Sequence, residues 1–402
     1  MQTLHETRFD ASSASMQHLG LSAAIQRGLN AAMQAEQAGH SFVELGIEEH
    51  SEQQGELLLH ALLAAQDSHL ACIDTGTERP ELGNCVLVLE AQRRLYLRRH
   101  WLAESAIARD VRARLQSADA SIVNKLITPA YAADELLAAA NALISQGFAL
   151  VTGGPGSGKT SAAAKLALHY LLHQNRPFAR VLLAAPTGKA AARLKSAFDS
   201  QSALLRANAI EAQTEAFDAL SQAQALTLHR LLGYQPQHSR QPLFARQRAN
   251  PIDADLVIVD EASMLSLALM QRLLAALHPD TALLLLGDAA QLPAVNCGRP
   301  FADLVEALAD HPAQPLATLT TQWRAQPELA ELAAQVRLLE PESAVQLAAC
   351  LAALEAYFPE PGINPGDLAQ ILTLRVHAGV FDDLMQANSL ESAWQAAQSQ
   401  RF

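Results

Sequence analysis

The sequence predicts an α/β protein, a parallel sheet flanked by helices, preceded by a mostly helical N-terminal domain. Three observations carry this. Four short apolar runs, Phe148-Ala-Leu-Val151, Val181-Leu-Leu-Ala-Ala185, Leu256-Val-Ile-Val259 and Ala282-Leu-Leu-Leu-Leu286, alternate with stretches of helical periodicity. Runs this short do not make isolated helices and suit strands buried on both faces of a parallel sheet. The first run passes into a glycine-rich loop and then into an Ala/Leu-rich stretch, Ser161 to Leu172, in the order strand, loop, helix. Residues 1 to about 125 are rich in Ala, Leu and Gln, with apolar positions at helical spacing in segments such as Glu56 to Gln66.

The N-terminal domain closes on a strand-like Val86-Leu-Val-Leu-Glu90 and then Arg93-Arg-Leu-Tyr-Leu-Arg-Arg-His-Trp101. This basic and aromatic cluster has two readings. It binds nucleic acid by phosphate contacts and stacking, or it is a strand and helix start whose aromatics pack inward while the arginines face solvent or a partner. Next comes the glycine-rich loop, Gly153, Gly154, Pro155, Gly156, Ser157 and Gly158, followed by Lys159, Thr160 and Ser161. Glycines let backbone N–H groups converge on phosphate oxygens, and the following helix N-terminus adds a favourable dipole. Lys159 is then placed to neutralise β- and γ-phosphates, and the Thr160 hydroxyl to bind Mg2+.

Pro186-Thr-Gly-Lys-Ala-Ala191 follows the second strand, where ligands of parallel sheets gather, and offers Thr187, backbone N–H groups and Lys189 to an anion. Asp199 to Ala225 is expected to be helical, and Gln235 to Asn250, with its prolines and arginines, a surface hairpin or loop. The third strand ends in two adjacent carboxylates. Asp260 suits the Mg2+ shell and Glu261 the orientation or deprotonation of an attacking water. The fourth runs into Leu286-Gly-Asp-Ala-Ala-Gln-Leu-Pro293, where Gln291 either contacts a γ-phosphate or caps a tight turn. Beyond Arg324 the pattern is helical again, interrupted at Pro359, Pro361 and Pro365.

Composition sets outer bounds. The chain has 402 residues, half of them hydrophobic, enough for large cores and more than one domain. Cys72, Cys85, Cys297 and Cys350 are far apart and lack the paired spacing of a zinc or iron–sulfur site, which fits reduced thiols in a cytoplasmic protein. No run approaches about 18 uninterrupted apolar residues, and the polar N-terminus does not resemble an export leader, so no membrane partner is expected. A net charge of -12 argues against nonspecific coating of nucleic acid but leaves room for a narrow basic channel on an acidic body.

Six segments occur in one order: GGPGSGKT, AAPTGKAAARL, LTLHRLLG, VIVDEASM, LLGDAAQLPAV and LTTQWRAQ. They resemble the motifs of the superfamily 1 DNA helicases, and among these the RecD-like branch that serves in exodeoxyribonuclease V. The resemblance covers about residues 125 to 325 and reaches more weakly into the N-terminal domain through RLYLRRHW. It implies a RecA-like P-loop NTPase fold for residues 126–325, a partner-docking role for 1–125, and for 326–402 the helical start of a C-terminal region that is cut short. ATP and Mg2+ are the implied cofactors, single-stranded DNA from duplex ends the substrate, RecB and RecC the partner subunits, and movement 5' to 3' the activity.

Residue by residue, the resemblance makes Lys159 and Thr160 the phosphate and Mg2+ ligands and gives hydrolysis to Asp260 and Glu261. Gln291 couples the γ-phosphate to motion, and Arg324 is a further γ-phosphate arginine. Thr187, Lys189, Thr227 and His229 fall in segments that contact the DNA strand, mostly at its backbone; for His229 a buried helix-start histidine is the competing reading. Two departures stand out. The adenine-reading glutamine of many relatives has no counterpart near Glu135 and Leu136, and motifs of the TxHKSQG and VTRAR kinds are missing. A nucleotide-binding but motor-inactive docking subunit is therefore the alternative to a working helicase.

Overall fold

The computed structural model of the chain describes residues 22–45, 52–65, 70–73, 85–91, 93–116, 134–174, 179–207, 214–235, 243–291 and 297–320. These fall into two compact units. One comprises the chain up to Val111 with Ser266–Leu274 and Pro293–Pro300, and the other Arg112–Leu265, Ala275–Leu292 and the chain from Phe301 on. Among the described residues no helix is long and apolar enough to cross a membrane.

In the first unit, helix α1 (Ala23–Gln37) starts at Ser22, whose hydroxyl accepts the Ile25 N–H at 3.4 Å. That bond satisfies one donor the helix leaves open. Strand β1 (Phe42–Glu44), helix α2 (Glu52–Ala65) and strands β2 (Leu70–Ile73), β3 (Leu87–Glu90) and β4 (Arg94–Leu97) follow, and β4 runs directly into helix α3 (Arg98–Gln116). The four strands form one sheet in the order β1-β4-β3-β2, a feature that helical periodicity did not disclose. Alternation along the strands divides the core. Leu87, Leu89, Leu95 and Leu97 pack with Ile25, Leu29 and Ala32 of α1, while Val88 and Tyr96 face the other way and pack with Trp101.

The RLYLRRHW cluster is thus a strand and helix start. Tyr96 and Trp101 are buried, and the Trp101 indole N–H donates to Glu90 Oε1 at 3.0 Å. Arg99 pairs with Glu36. Buried rings cannot stack on bases, so the stacking reading of these two aromatics is corrected in favour of inward packing. The segment after the fourth predicted strand also belongs to this unit. Gly298 N–H donates to Gly39 O at 2.9 Å and Cys297 Sγ to His40 O at 3.1 Å. Burial and the carboxylates of Glu36 and Glu104 push the Cys297 thiol up to about 12, which keeps it protonated and able to donate.

The second unit holds helix α4 (Asp134–Gln146), strand β5 (Phe148–Gly153), helix α5 (Lys159–Gln174), strand β6 (Val181–Ala185) and helices α6 (Gly188–Arg206) and α7 (Thr214–Ser221). Strand β7 (Gln224–Thr227), the single turn α8 (Leu228–Leu231) and strand β8 (Leu256–Val259) come next. Helix α9 (Leu267–Ala276), whose first residues lie in the other unit, strand β9 (Ala282–Gly287), helix α10 (Pro300–Leu308) and strand β10 (Leu316–Leu319) complete the order. Six parallel strands run β10-β5-β9-β8-β6-β7. All four runs read as strands are strands, buried along their whole length.

The two strands that the sequence reading missed are the sheet edges. Gln224–Thr227 is half-exposed and Leu316–Leu319 has one buried residue, so neither carries a continuous apolar signal. The stretch expected to be helical from Asp199 holds the end of α6, then α7, and closes in β7. In the stretch expected to be a hairpin or loop, Tyr234 bridges Phe244 and Gln247 bridges Asn250, both antiparallel, while residues 236–242 lie outside the described residues. The region expected to be helical after Arg324, and Arg324 itself, lie outside the described residues.

Candidate active site

A parallel sheet gathers its strand ends on one edge, and β5, β8 and β9 bring the nucleotide residues there. Strand β5 ends at Gly153, where a side chain has no room: a Cβ would lie 2.7 Å from Ser157 Oγ and 2.9 Å from Leu319 O. Gly156 and Gly158 take φ of 73° and 90°, which folds the loop into a concave cradle ahead of α5. The Ser157 hydroxyl is buried with no partner among the described residues. An orphaned donor inside a cradle that a Cβ would fill fits an anionic ligand supplying the missing acceptor.

Lys159 folds back over the loop, its Nζ donating to Gly153 O at 2.7 Å and Gly154 O at 3.0 Å. Neutral carbonyls are weaker acceptors than phosphate, so the ammonium is poised to exchange them. Thr160 sits half-buried in the first turn of α5. The Ser161 hydroxyl donates to Gln201 Oε1 of α6 at 3.0 Å.

At the end of β8, Asp260 Oδ1 accepts the Glu261 N–H at 2.9 Å. Burial raises the Asp260 carboxyl above its ordinary value, against the opposing pull of that N–H, Lys159 and Arg193. Asp260 is half-buried by surface area, and the Lys159 ammonium and Arg193 guanidinium favour its charged form. Glu261 is left-handed, φ 54° and ψ 39°, at the start of the tight turn Ala262–Met264. For a residue with a Cβ this conformation costs about 1–3 kcal/mol and is held where the aim of a side chain matters.

Strand β9 lies between β5 and β8 and joins them chemically. The Thr152 hydroxyl on β5 accepts the Ala289 N–H at 3.2 Å, and Asp288 Oδ1 accepts the Ala290 N–H at 3.1 Å. Gln291 has the turn-closing role that one of its two readings required. Its N–H closes the turn on Asp288 O at 3.1 Å, while its Oε1 accepts from Ser263 Oγ at 3.2 Å. That leaves the carboxamide NH2 group to donate elsewhere. Sequence reasoning named Ser157 as a loop residue but missed Thr152, Arg193, Ser263 and Asp288 as parts of the site. The Ser after Asp-Glu-Ala was the one signal available, and nothing local pointed it at Gln291.

A second group of residues collects beside β6 and β7, whose ends are in register at Ala185 and Thr227. Thr187 caps α6 by accepting the Ala190 N–H at 3.2 Å, and Thr227 caps α8 by accepting the Arg230 N–H at 3.3 Å. Lys189 is exposed. His229 is exposed as well, which corrects the reading of a buried histidine. Its ring lies edge-on to Tyr234, centroids 5.4 Å apart.

A fully parallel, doubly covered sheet with a glycine cradle, a lysine and a carboxylate pair on one edge defines the second unit as a P-loop NTPase fold. A family profile described as an AAA domain matches residues 137–297, and nucleotide use follows from the fold. The chain is 39% identical over 262 residues to the RecBCD enzyme subunit RecD of Mycolicibacterium smegmatis, covering 63% of this chain and 45% of that one. It is 37% identical over 164 residues to the RecBCD enzyme subunit RecD of Haemophilus influenzae, covering 40% and 24%. It is 40% identical over 161 residues to the ATP-dependent RecD2 DNA helicase of Deinococcus radiodurans, covering 39% and 18%. The resemblance to RecD read from the motifs is borne out by these matches. The chain spans less than half the length of these relatives. Among solved structures, Pif1 helicase from Bacteroides in complex with ADP-AlF3 and ssDNA aligns at a TM-score of 0.33 and 18% identity, over 60% of this chain and 55% of that one.

Proposed function

We propose that the chain is an ATP-dependent DNA helicase subunit of the exodeoxyribonuclease V (RecBCD) kind, working with RecB and RecC in recombinational repair of double-strand breaks and moving 5' to 3' on single-stranded DNA. The observation that carries it is the hydrogen-bonded connection from the carboxylate strand to the β9 turn, Ser263 to Gln291, in a chain whose relatives include RecD subunits and a RecD2 DNA helicase. Bound ATP supplies the γ-phosphoryl group and the free energy of its transfer to water. Lys159 exchanges the Gly153 and Gly154 carbonyls for β- and γ-phosphate oxygens, and the Ser157 hydroxyl gains its acceptor. The Thr160 hydroxyl and Asp260 hold Mg2+, and Glu261 takes the proton of the attacking water.

Gln291, fixed by Ser263 at one carboxamide atom, presents the other to the γ-phosphate, so loss of that group removes one contact of the β9 turn. Arg324, carried over from the resemblance, adds positive charge to the transferring phosphoryl. Thr187, Lys189, Thr227 and His229 take the DNA backbone beside β6 and β7. Residues 1–125 are read as the docking domain and 126–325 as the motor domain. The relatives favour the motor over the motor-inactive docking reading.

The test is ATP hydrolysis by the purified chain with and without single-stranded DNA, beside Lys159→Ala. DNA-stimulated turnover abolished in the variant is expected. Turnover indifferent to DNA, or nucleotide binding that survives Lys159→Ala undiminished, would overturn the proposal.

A further inference from the structure

The hairpin after α8 concentrates positive charge on an acidic protein. From Leu228 to Ile252 the sequence has four arginines (Arg230, Arg240, Arg246 and Arg248), two histidines (His229 and His238) and no aspartate or glutamate, in a chain of net charge -12. Arg246 spends its guanidinium on neutral oxygens, Asn250 Oδ1 at 3.4 Å and Pro251 O at 3.0 Å, so its charge is not cancelled there.

On this basic segment stands an exposed and rigid aromatic ring. Tyr234 is 42% exposed, while Phe244 beneath it is 8% exposed, centroids 5.2 Å apart. His229 braces Tyr234 edge-on at an interplanar angle of 85°. The backbone is fixed as well. Tyr234 N–H donates to His229 O at 2.9 Å, Gln235 N–H to Leu243 O at 3.0 Å, and Ala245 N–H to Gly233 O at 3.0 Å. Gly233 sets the turn at φ +67°, where a Cβ would press on Ala245 Cβ at 3.0 Å. An aromatic held this firmly loses little entropy when a flat ligand covers it.

Its neighbours say which flat ligand. Thr227 begins the single turn that carries His229, and Arg230 lines a groove of about 590 Å³ with Gly188, Ser196, Thr227 and the ion-paired Lys195 and Asp199. The Thr227 hydroxyl and the Arg230 guanidinium, groups suited to phosphate, therefore lie within seven residues of a ring suited to a base. This is the pairing that single strands need and duplexes, whose bases are stacked on each other, do not.

We propose that Tyr234, braced by His229 and Phe244, is a stacking platform for one base of single-stranded DNA, next to the backbone contacts at Thr187 and Thr227. The proposal rests on the single-strand reading of the preceding subsection and adds a base contact to it. Such a contact is tolerant of sequence, since every base has a π face.

The test measures binding of the full chain to a labelled oligothymidylate and to the same oligonucleotide with abasic sites along its length. The Tyr234→Ala variant should bind the base-bearing strand about tenfold more weakly and the abasic strand as wild type does. Tyr234→Phe and Tyr234→Trp should restore the preference for bases. Equal weakening on both strands would overturn the proposal and make the ring a support for the hairpin. Undiminished binding by Tyr234→Ala would also overturn it and leave the face to a protein partner. Wild-type chain that binds neither strand would overturn the single-strand reading itself, a result distinct from either.

Discussion

Replacing Gly153 by alanine tests the cradle at its tightest point. The added Cβ would sit 2.7 Å from Ser157 Oγ, 2.9 Å from Leu319 O and 3.0 Å from Leu319 Cβ. The serine hydroxyl can rotate away, but Leu319 O belongs to the backbone of β10, paired in register with Gly153 itself. Relief therefore requires strand β10 or the loop to move by several tenths of an ångström. Overpacking of this kind costs about 1–3 kcal/mol. Because Gly153 O also anchors Lys159 Nζ at 2.7 Å, the displacement falls on the phosphate site. We expect a loss of nucleotide affinity of about tenfold or more, read by titration with a fluorescent ATP analogue, and a lower unfolding midpoint. Gly188→Ala is the matched control for stability, because its Cβ would meet only Thr227 Cγ2, at 3.9 Å. Wild-type affinity and wild-type unfolding in Gly153→Ala would refute the claim that close approach is what requires glycine there.

Three further outcomes follow from the same geometry. Ser263→Ala removes the 3.2 Å bond to Gln291 Oε1, so hydrolysis and its stimulation by DNA should fall several-fold with nucleotide affinity little changed; a parallel fall in affinity would mean that Gln291 is not held by this bond. Burial lowers the pKa of His169, and that of His100 despite the opposing Glu36, below the ordinary 6.5. Below about pH 6.5 the unfolded chain binds protons that the folded chain resists, so stability should decline as pH falls from 7 to 5; His169→Gln should flatten the dependence of the unfolding midpoint on pH. Trp101→Ala empties a buried site and removes one of the donors to Glu90, at a cost of about 3–5 kcal/mol, and should leave the salt dependence of DNA binding unaltered, because the ring is not on the surface.

Much of the site was legible because its chemistry is local. The cradle, Lys159 and Thr160 are consecutive, and a strand-to-helix transition around glycines gives them a geometry with little help from elsewhere. Asp260 and Glu261 were legible for a similar reason: a run of four apolar residues marks a buried strand, and the end of such a strand is where a parallel sheet presents groups to a ligand. The hairpin could be expected from its prolines and polar residues, but not the ring it displays. That Tyr234 is exposed depends on Phe244 filling the space below it.

What the sequence by itself determined is therefore the α/β class, the four central strands and the phosphate loop, since each is encoded in a run of neighbouring residues whose periodicity or backbone freedom acts locally. Only the tertiary structure decided that β9 lies between β5 and β8, which brings Thr152 to Ala289 and Ser263 to Gln291. It also decided that Gln224–Thr227 and Leu316–Leu319 are edge strands, and that Ser266–Leu274 and Pro293–Pro300 belong with the N-terminal unit. The physical reason is that strand order and side-chain pairing are settled by packing between segments 28 to 137 residues apart in those two bonds, where no local pattern records the partner.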